Sequence, residues 1–312
     1  MRGVSARIAI VLSVVFIVVA TAALAGRGQA PATARALLEQ KGIPFTADAF
    51  IESARKGDVE ALKLFLAAGM DANTRQAKEK DKSSVLMVAA MAGQKVAAET
   101  LIAGGADVNA KSNAGRTALF WAAWKGYTQT ALALIGAGSD VNATDNSGAT
   151  PLLFALSRSR AEAALALIEK GADANVRASD GTSALIYAVL AGDRNVLEAL
   201  LSKGADINAK GTRKRSPLIF ATLTGNVSIV ENLLAHGADV NSTDDLNRTA
   251  LMFAVEGGNR PVVEALLVGG AYADAKDTNN RTALIRAEQR GYWDIVKTLL
   301  ARGSRKEETK WP

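Results

Sequence analysis

The 312-residue chain has no cysteine, which removes disulfide staples, thiolate metal sites and a cysteine-linked lipid anchor together. It has one histidine, His236, beside no candidate nucleophile or metal partner, so histidine chemistry has nothing to work with. Aromatic residues are scarce at 5%, while 49% of the chain is hydrophobic, a balance that suits a helical stack better than a globule around one large core. One elongated domain is the expected count. Net charge is low as well: a formal +6 over this length falls short of a nucleic-acid footprint, and no element carries base readout. No glycine-rich stretch has the strand-to-helix pattern that cradles phosphate. No cofactor, no metal and no enzymatic activity are expected, for want of the convergent polar groups a reaction site requires.

What the chain does have is period. The stretch "GRTALFWAAWKG" at 115–126 recurs as "SSVLMVAAMAG", "ATPLLFALSRS", "TSALIYAVLAG", "RSPLIFATLTG", "RTALMFAVEGG" and "RTALIRAEQRG". Its hydroxyl residue is Ser84, Thr117, Thr150, Ser183, Ser216, Thr249 or Thr282, always 33 residues apart. A second string, "GADVN" at Gly105 and its relatives at Gly69, Gly138, Gly171, Gly204, Gly237, Gly270 and Gly303, runs in the same register. A fixed repeat of this length means a solenoid whose units cannot bury their apolar faces alone. The hydroxyls suit helix N-caps, and Pro151 and Pro217 follow where a missing N–H costs nothing. Leu86, Leu119, Leu152, Leu185, Leu218, Leu251 and Leu284 mark the inward face. Gly126, Gly192, Gly225 and Gly291 close the first helix of their units, and Ser159 interrupts that column.

In these motifs the chain resembles the ankyrin repeat family, over residues 47–303. The resemblance implies an all-α solenoid of about eight helix-turn-helix units joined by β-turn or hairpin loops. One departure is systematic: the family's signature histidine is replaced by Met87, Phe120, Leu153, Ile186, Ile219, Met252 and Ile285. In the family that histidine ties adjacent turns by hydrogen bonds, so apolar packing is expected to substitute here. Asp107, Asp140, Asp173, Asp206 and Asp239 recur once per unit and read as turn residues rather than paired catalytic carboxylates. His236 reads as a cap at the end of a second helix.

Outside the repeats, Arg2 and Arg7 precede an uncharged apolar run from Ile8 to Ala25, with "ALA" at 23–25. Residues 1–25 are expected to be a cleaved signal peptide or, alternatively, a retained anchor, since the run reaches about 27 Å as a helix. Either reading puts the repeats outside the cytoplasm, in the periplasm or tethered to the inner membrane, with membrane contact only through 1–25. Residues 26–46 read as a linker with a short helix around Ala34 to Gln40, and 304–312 as a polar tail.

Within so strict a repeat, positions that vary are positions the fold does not dictate. Trp124, Lys125, Arg158, Leu190, Leu223, Glu256 and Arg290 are of this kind, and the resemblance places them on the concave face where partners of the family dock. Arg116, Lys214, Arg215, Arg248 and Arg281 edge that face at the turn tips, with "KGTRKRS" at 210–216 adding a basic cluster. The expectation is a monomeric, non-catalytic scaffold that binds another protein, with no nucleic acid; the alternative is a structural envelope protein held by its N-terminus. The column Trp121, Phe154, Tyr187, Phe220 and Phe253, flanked by Val88 and Arg286, reads as packing between first helices.

Overall fold

The computed structural model describes residues 30–77 and 79–303; the segment 1–25, the start of the linker and the tail 304–312 lie outside the described residues. Among the described residues there are 17 α-helices and no strand, only isolated bridges such as Arg177 with Ser183. Helix α1 (Ala30–Gln40) begins four residues before its expected start. Sixteen helices follow two by two along the chain: α2 (Ala47–Lys56) and α3 (Val59–Ala67), α4 (Val85–Met91) and α5 (Lys95–Ala103), α6 (Ala118–Lys125) and α7 (Thr128–Gly136), and α8 (Pro151–Ser157) and α9 (Ala161–Glu169). The remaining pairs are α10 (Ala184–Ala191) with α11 (Arg194–Ser202), α12 (Pro217–Thr224) with α13 (Val227–Ala235), α14 (Ala250–Glu256) with α15 (Arg260–Val268), and α16 (Ala283–Arg290) with α17 (Trp293–Ala301). No described helix is long and apolar enough to cross a membrane.

The chain divides into two compact units, the first ending at Ala122 but taking in Gln129–Asp140, the second formed by Ala123–Thr128 and the chain from Val141 on. In the first, α1 covers α3, and the pair α2 and α3 packs onto α4 and α5. In the second, first helices stack on first helices through α8, α10, α12, α14 and α16, and second helices do the same.

The caps are where the hydroxyl column places them. The Thr150 hydroxyl accepts from Leu153 N–H at 3.4 Å, and Ser183, Ser216, Thr249 and Thr282 repeat the bond, each removing a donor that the first turn leaves unpaired. Pro151 and Pro217 sit at the first helical positions. The leucine column is buried at all seven positions from Leu86 to Leu284, each side chain contributing about 1.5 to 3 kcal/mol by leaving water.

At the position of the absent histidine the side chains are buried from Met87 to Met252, but apolar packing is not the sole tie between units. A column of asparagines at the end of the "GADVN" strings supplies hydrogen bonds. Asn175 accepts from Asp206 N–H at 2.9 Å through Oδ1 and donates to Gly204 O at 3.0 Å through Nδ2. Asn142 does the same with Asp173 and Gly171, Asn241 with Tyr272 and Gly270, and in the first unit Asn73 and Asn109 follow suit. The recurring aspartates organise the turns they sit in, as Asp206 does by accepting from Asn208 N–H at 2.9 Å. His236 caps α13, its Nδ1 lying 2.9 Å from Asn232 O.

Candidate functional site

The turn tips decide which side chains are available. Each needs one residue of left-handed backbone, and Gly115, Gly148, Gly181, Asn247 and Asn280 supply it, joined by Lys82 and Lys214. In most tips a polar residue four positions before the end organises the loop. Asp244 Oδ1 accepts from Leu246 and Arg248 N–H at 2.9 Å, and Asp277 does likewise for Asn279 and Arg281.

These carboxylates also take the tip arginines. Asp244 Oδ2 accepts from Arg248 Nε at 2.9 Å and Nη2 at 2.7 Å, with Arg215 Nε 4.0 Å away; the Asp244 side chain is 0% exposed. Both guanidinium groups lie over the Phe253 ring, Arg248 at 4.5 Å and Arg215 at 5.0 Å. Burial pushes the Asp244 carboxyl up, yet the hydrogen bonds from Arg248 and Leu246 and the Arg248 charge outweigh it and hold the group below the usual carboxylate range. Arg281 donates to Asp277 at 3.3 Å, and the buried Arg286 bridges Asp277 and Glu256. In the first unit, Arg116 stacks over Phe120 and Trp121 at 5.1 and 5.3 Å. Of the arginines expected to edge the face, Arg248 and Arg281 pair with carboxylates of their own turns, Arg215 lies within 4.0 Å of Asp244, and Arg116 stacks on aromatic rings. Glu256 is likewise engaged, by Arg286.

The tip at 211–215 is built differently. Gly211 stands where Asp244 stands one repeat later, and a Cβ there would lie 2.7 Å from Ile186 Cδ1 and 3.3 Å from the Phe220 ring. With no carboxylate to organise it, the loop forms a 3₁₀ turn at Thr212–Lys214 in which Arg213 (φ 55°) and Lys214 (φ 54°) are both left-handed, strain of about 1 to 3 kcal/mol each. Both side chains are exposed and neither forms an ion pair with a described residue. Arg213 belongs to the basic "KGTRKRS" cluster but not to the tip residues that the sequence singles out.

Along the first helices of the second unit, the variable positions are open. Trp124 is half-buried, with Lys125 Nζ 4.6 Å from its ring centre and Arg158 Cζ 5.3 Å from it, both cations exposed. Leu190 on α10 and Leu223 on α12 are 48% and 47% exposed at the same register, and Arg290 is exposed at the end of α16. The column Phe154, Tyr187, Phe220 and Phe253 beside them is half-buried to buried, which agrees with packing between first helices. Val268 (71%) and Trp293 (63%) are more exposed still, but they belong to second helices.

A family model described as ankyrin repeats (3 copies) matches residues 50–145, 131–211 and 218–310. Among solved structures, the chain is similar to the human ASB11 ankyrin repeat domain, at 30% identity over 72% of this chain and 100% of that one, with a TM-score of 0.62. It is also similar to the ankyrin repeat domain of Bcl-3, a member of the IκB family, at 31% identity over 70% and 100%, with a TM-score of 0.63. An ankyrin repeat domain from Acinetobacter baumannii AYE shares 32% identity over 60% and 98%, with a TM-score of 0.58. No curated protein matches the chain. With helices recurring two by two, hydroxyl caps in a 33-residue register and a family model covering most of its length, the chain belongs to the ankyrin repeat family.

Proposed function

We propose that the protein is a scaffold that docks another protein on the strip Trp124, Lys125, Arg158, Leu190, Leu223 and Arg290, and that it works outside the cytoplasm. Ankyrin repeats are in general protein–protein interaction modules, typically without catalysis. The observation that carries the reading is the pair Leu190 and Leu223, half-exposed leucines in one register of first helices whose recurring leucines from Leu86 to Leu284 are all buried. An apolar pair flanked by Trp124 and by arginines has the composition that dominates interface energies, with typical losses of about 2 kcal/mol or more on truncation of such anchors. The location rests on the apolar run from Ile8 to Ala25 behind Arg2 and Arg7.

A photo-crosslinking residue placed at 223 in the native host should give one dominant adduct, absent when it is placed at the exposed Glu60 on α3. The same smear from both positions would end the docking assignment. N-terminal sequencing of the mature protein separates cleavage from anchoring, and a reporter fused after Trp311 that stays cytoplasmic would overturn the location.

A further inference from the structure

We propose that this strip takes an extended acidic segment of the partner protein, its carboxylates seated on Arg213 and Lys214 and its apolar side chains on Leu190 and Leu223. The inference rests on the docking strip above and adds the chemistry of the occupant.

The fold brings the two halves of this site together. The base of the tip, Gly211, packs against Ile186 and Phe220, and these stand on α10 and α12, the helices that carry Leu190 and Leu223. Leu190 follows Ile186 by four residues and Leu223 follows Phe220 by three, so each leucine lies about one helical turn, about 4.5 to 6 Å along the axis, beyond the residue that Gly211 packs against.

Charge decides the class of occupant. Arg215, Arg248 and Arg281 lie against buried carboxylates, whereas Arg213 and Lys214 are exposed on a doubly left-handed backbone that no other described tip adopts. The exposed Asp245 of the next tip meets Arg213 through the backbone, its N–H donating to Arg213 O at 3.1 Å. Cations are in excess here: burial pushes the Arg215 guanidinium down, and the charges of Arg248 and Arg213 push it further, against Asp244 and Asp245. Lys125, Arg158 and Arg290 add exposed positive charge along the strip, while its one carboxylate, Glu256, is taken by Arg286. An acidic chain relieves this excess: the strip positions offer it no free carboxylate, and the exposed acids nearby are Asp180 and Asp245 on the flanking tips.

Spacing favours an extended chain. Neighbouring packed helices stand about 8 to 10 Å apart, and a polyproline-II chain presents the same face every third residue, about 9 Å on. Apolar side chains three residues apart thus reach both leucines, with acidic residues between them directed to the tip.

The test uses the full chain and a fluorescein-labelled peptide of four Glu-Glu-Leu repeats, read by fluorescence anisotropy at low and high salt. Lys214→Asn keeps a residue that the same register accepts at Asn247 and Asn280, so the fold is retained while the charge goes. Arg213→Asn and Lys214→Asn together should raise Kd about tenfold or more at low salt and flatten its salt dependence, and Leu223→Gln should raise it about fivefold at either salt. Failure of the peptide to bind, equal binding of a Lys-Lys-Leu peptide, or equal binding of a Glu-Glu-Ser peptide would each overturn the acidic-apolar occupant. If Leu223→Gln weakens the Lys-Lys-Leu peptide as well, the strip stands and only its acidic preference falls; if neither variant alters any peptide, the strip falls too. Lys214-dependent binding to phosphatidylserine vesicles without peptide binding would overturn the proposal in favour of a membrane surface.

Discussion

At residue 244 a turn tip is held by a carboxylate that accepts two backbone N–H groups and a guanidinium; at residue 211, one repeat earlier, glycine fills the same place because Ile186 and Phe220 leave no room for a side chain. The first solution satisfies the loop and consumes its arginines. The second leaves the loop strained, with Arg213 and Lys214 in left-handed backbone, and leaves their charges unspent. A repeat therefore fixes what a turn must accomplish but not which atoms accomplish it, and the choice decides whether a basic tip is cement or a contact surface.

The comparison breaks most visibly at the carboxylate. Asp244→Ala strands two largely buried guanidinium groups and should cost about 3 to 5 kcal/mol in urea denaturation; a loss within 0.5 kcal/mol would mean that Arg248 finds water instead. Acid should act on the same group more gently, because protonation removes the charge but keeps the shape. Its folded pKa lies below the ordinary value, so its stabilisation is complete above about pH 4 and drains away as pH falls through the folded value. Asp244→Asn should flatten that acid limb of the unfolding curve, and an unchanged limb would count against the assignment.

Making the two tips alike tests the other side. Gly211→Asp drives a side chain into Ile186 and Phe220 and should cost about 1 to 3 kcal/mol in spite of the carboxylate it supplies. Should it stabilise the protein, the steric account of Gly211 is wrong. The smallest change runs the opposite way. Lys214→Gly relieves a left-handed lysine and should stabilise by about 1 kcal/mol, measurable as a higher denaturation midpoint, with Asn247→Gly gaining less because asparagine already tolerates that backbone.

Much of this architecture is legible from period alone. The caps, the buried leucines and the left-handed glycines each depend on residues within one unit, and a column of seven hydroxyls cannot be mistaken once it is aligned. The ion pairs of Arg248 and Arg281 are not legible from the tips alone, although Asp244 and Asp277, four residues ahead of them, carry the signal. A basic residue in a turn looks the same on paper whether it faces solvent or a buried acid. The asparagine ties were hidden for a different reason: their partners lie 29 to 34 residues away, and a recurring letter does not say whether it serves its own turn or the next one. Leu190 and Leu223 stood out because the repeat leaves their positions unconstrained, and they are open.

Those asparagine ties carry a consequence for how such a chain grows and shrinks over evolutionary time. Each Asn is encoded in one repeat and bonds to the next, so a duplication or deletion by unequal recombination leaves every bond intact when it removes or adds whole repeats, wherever in the repeat the break falls. A fractional change misaligns donor and acceptor and is lost, unless it falls in a loop that the ties bypass. The 36-residue spacing near the start of the stack is such a case: Asn73 still bonds Gly105 and Asp107, and the extra residues lie between it and the cap at Ser84. The ladder thus works as a proofreading frame, under which a gene of this kind can change length freely but only in whole words.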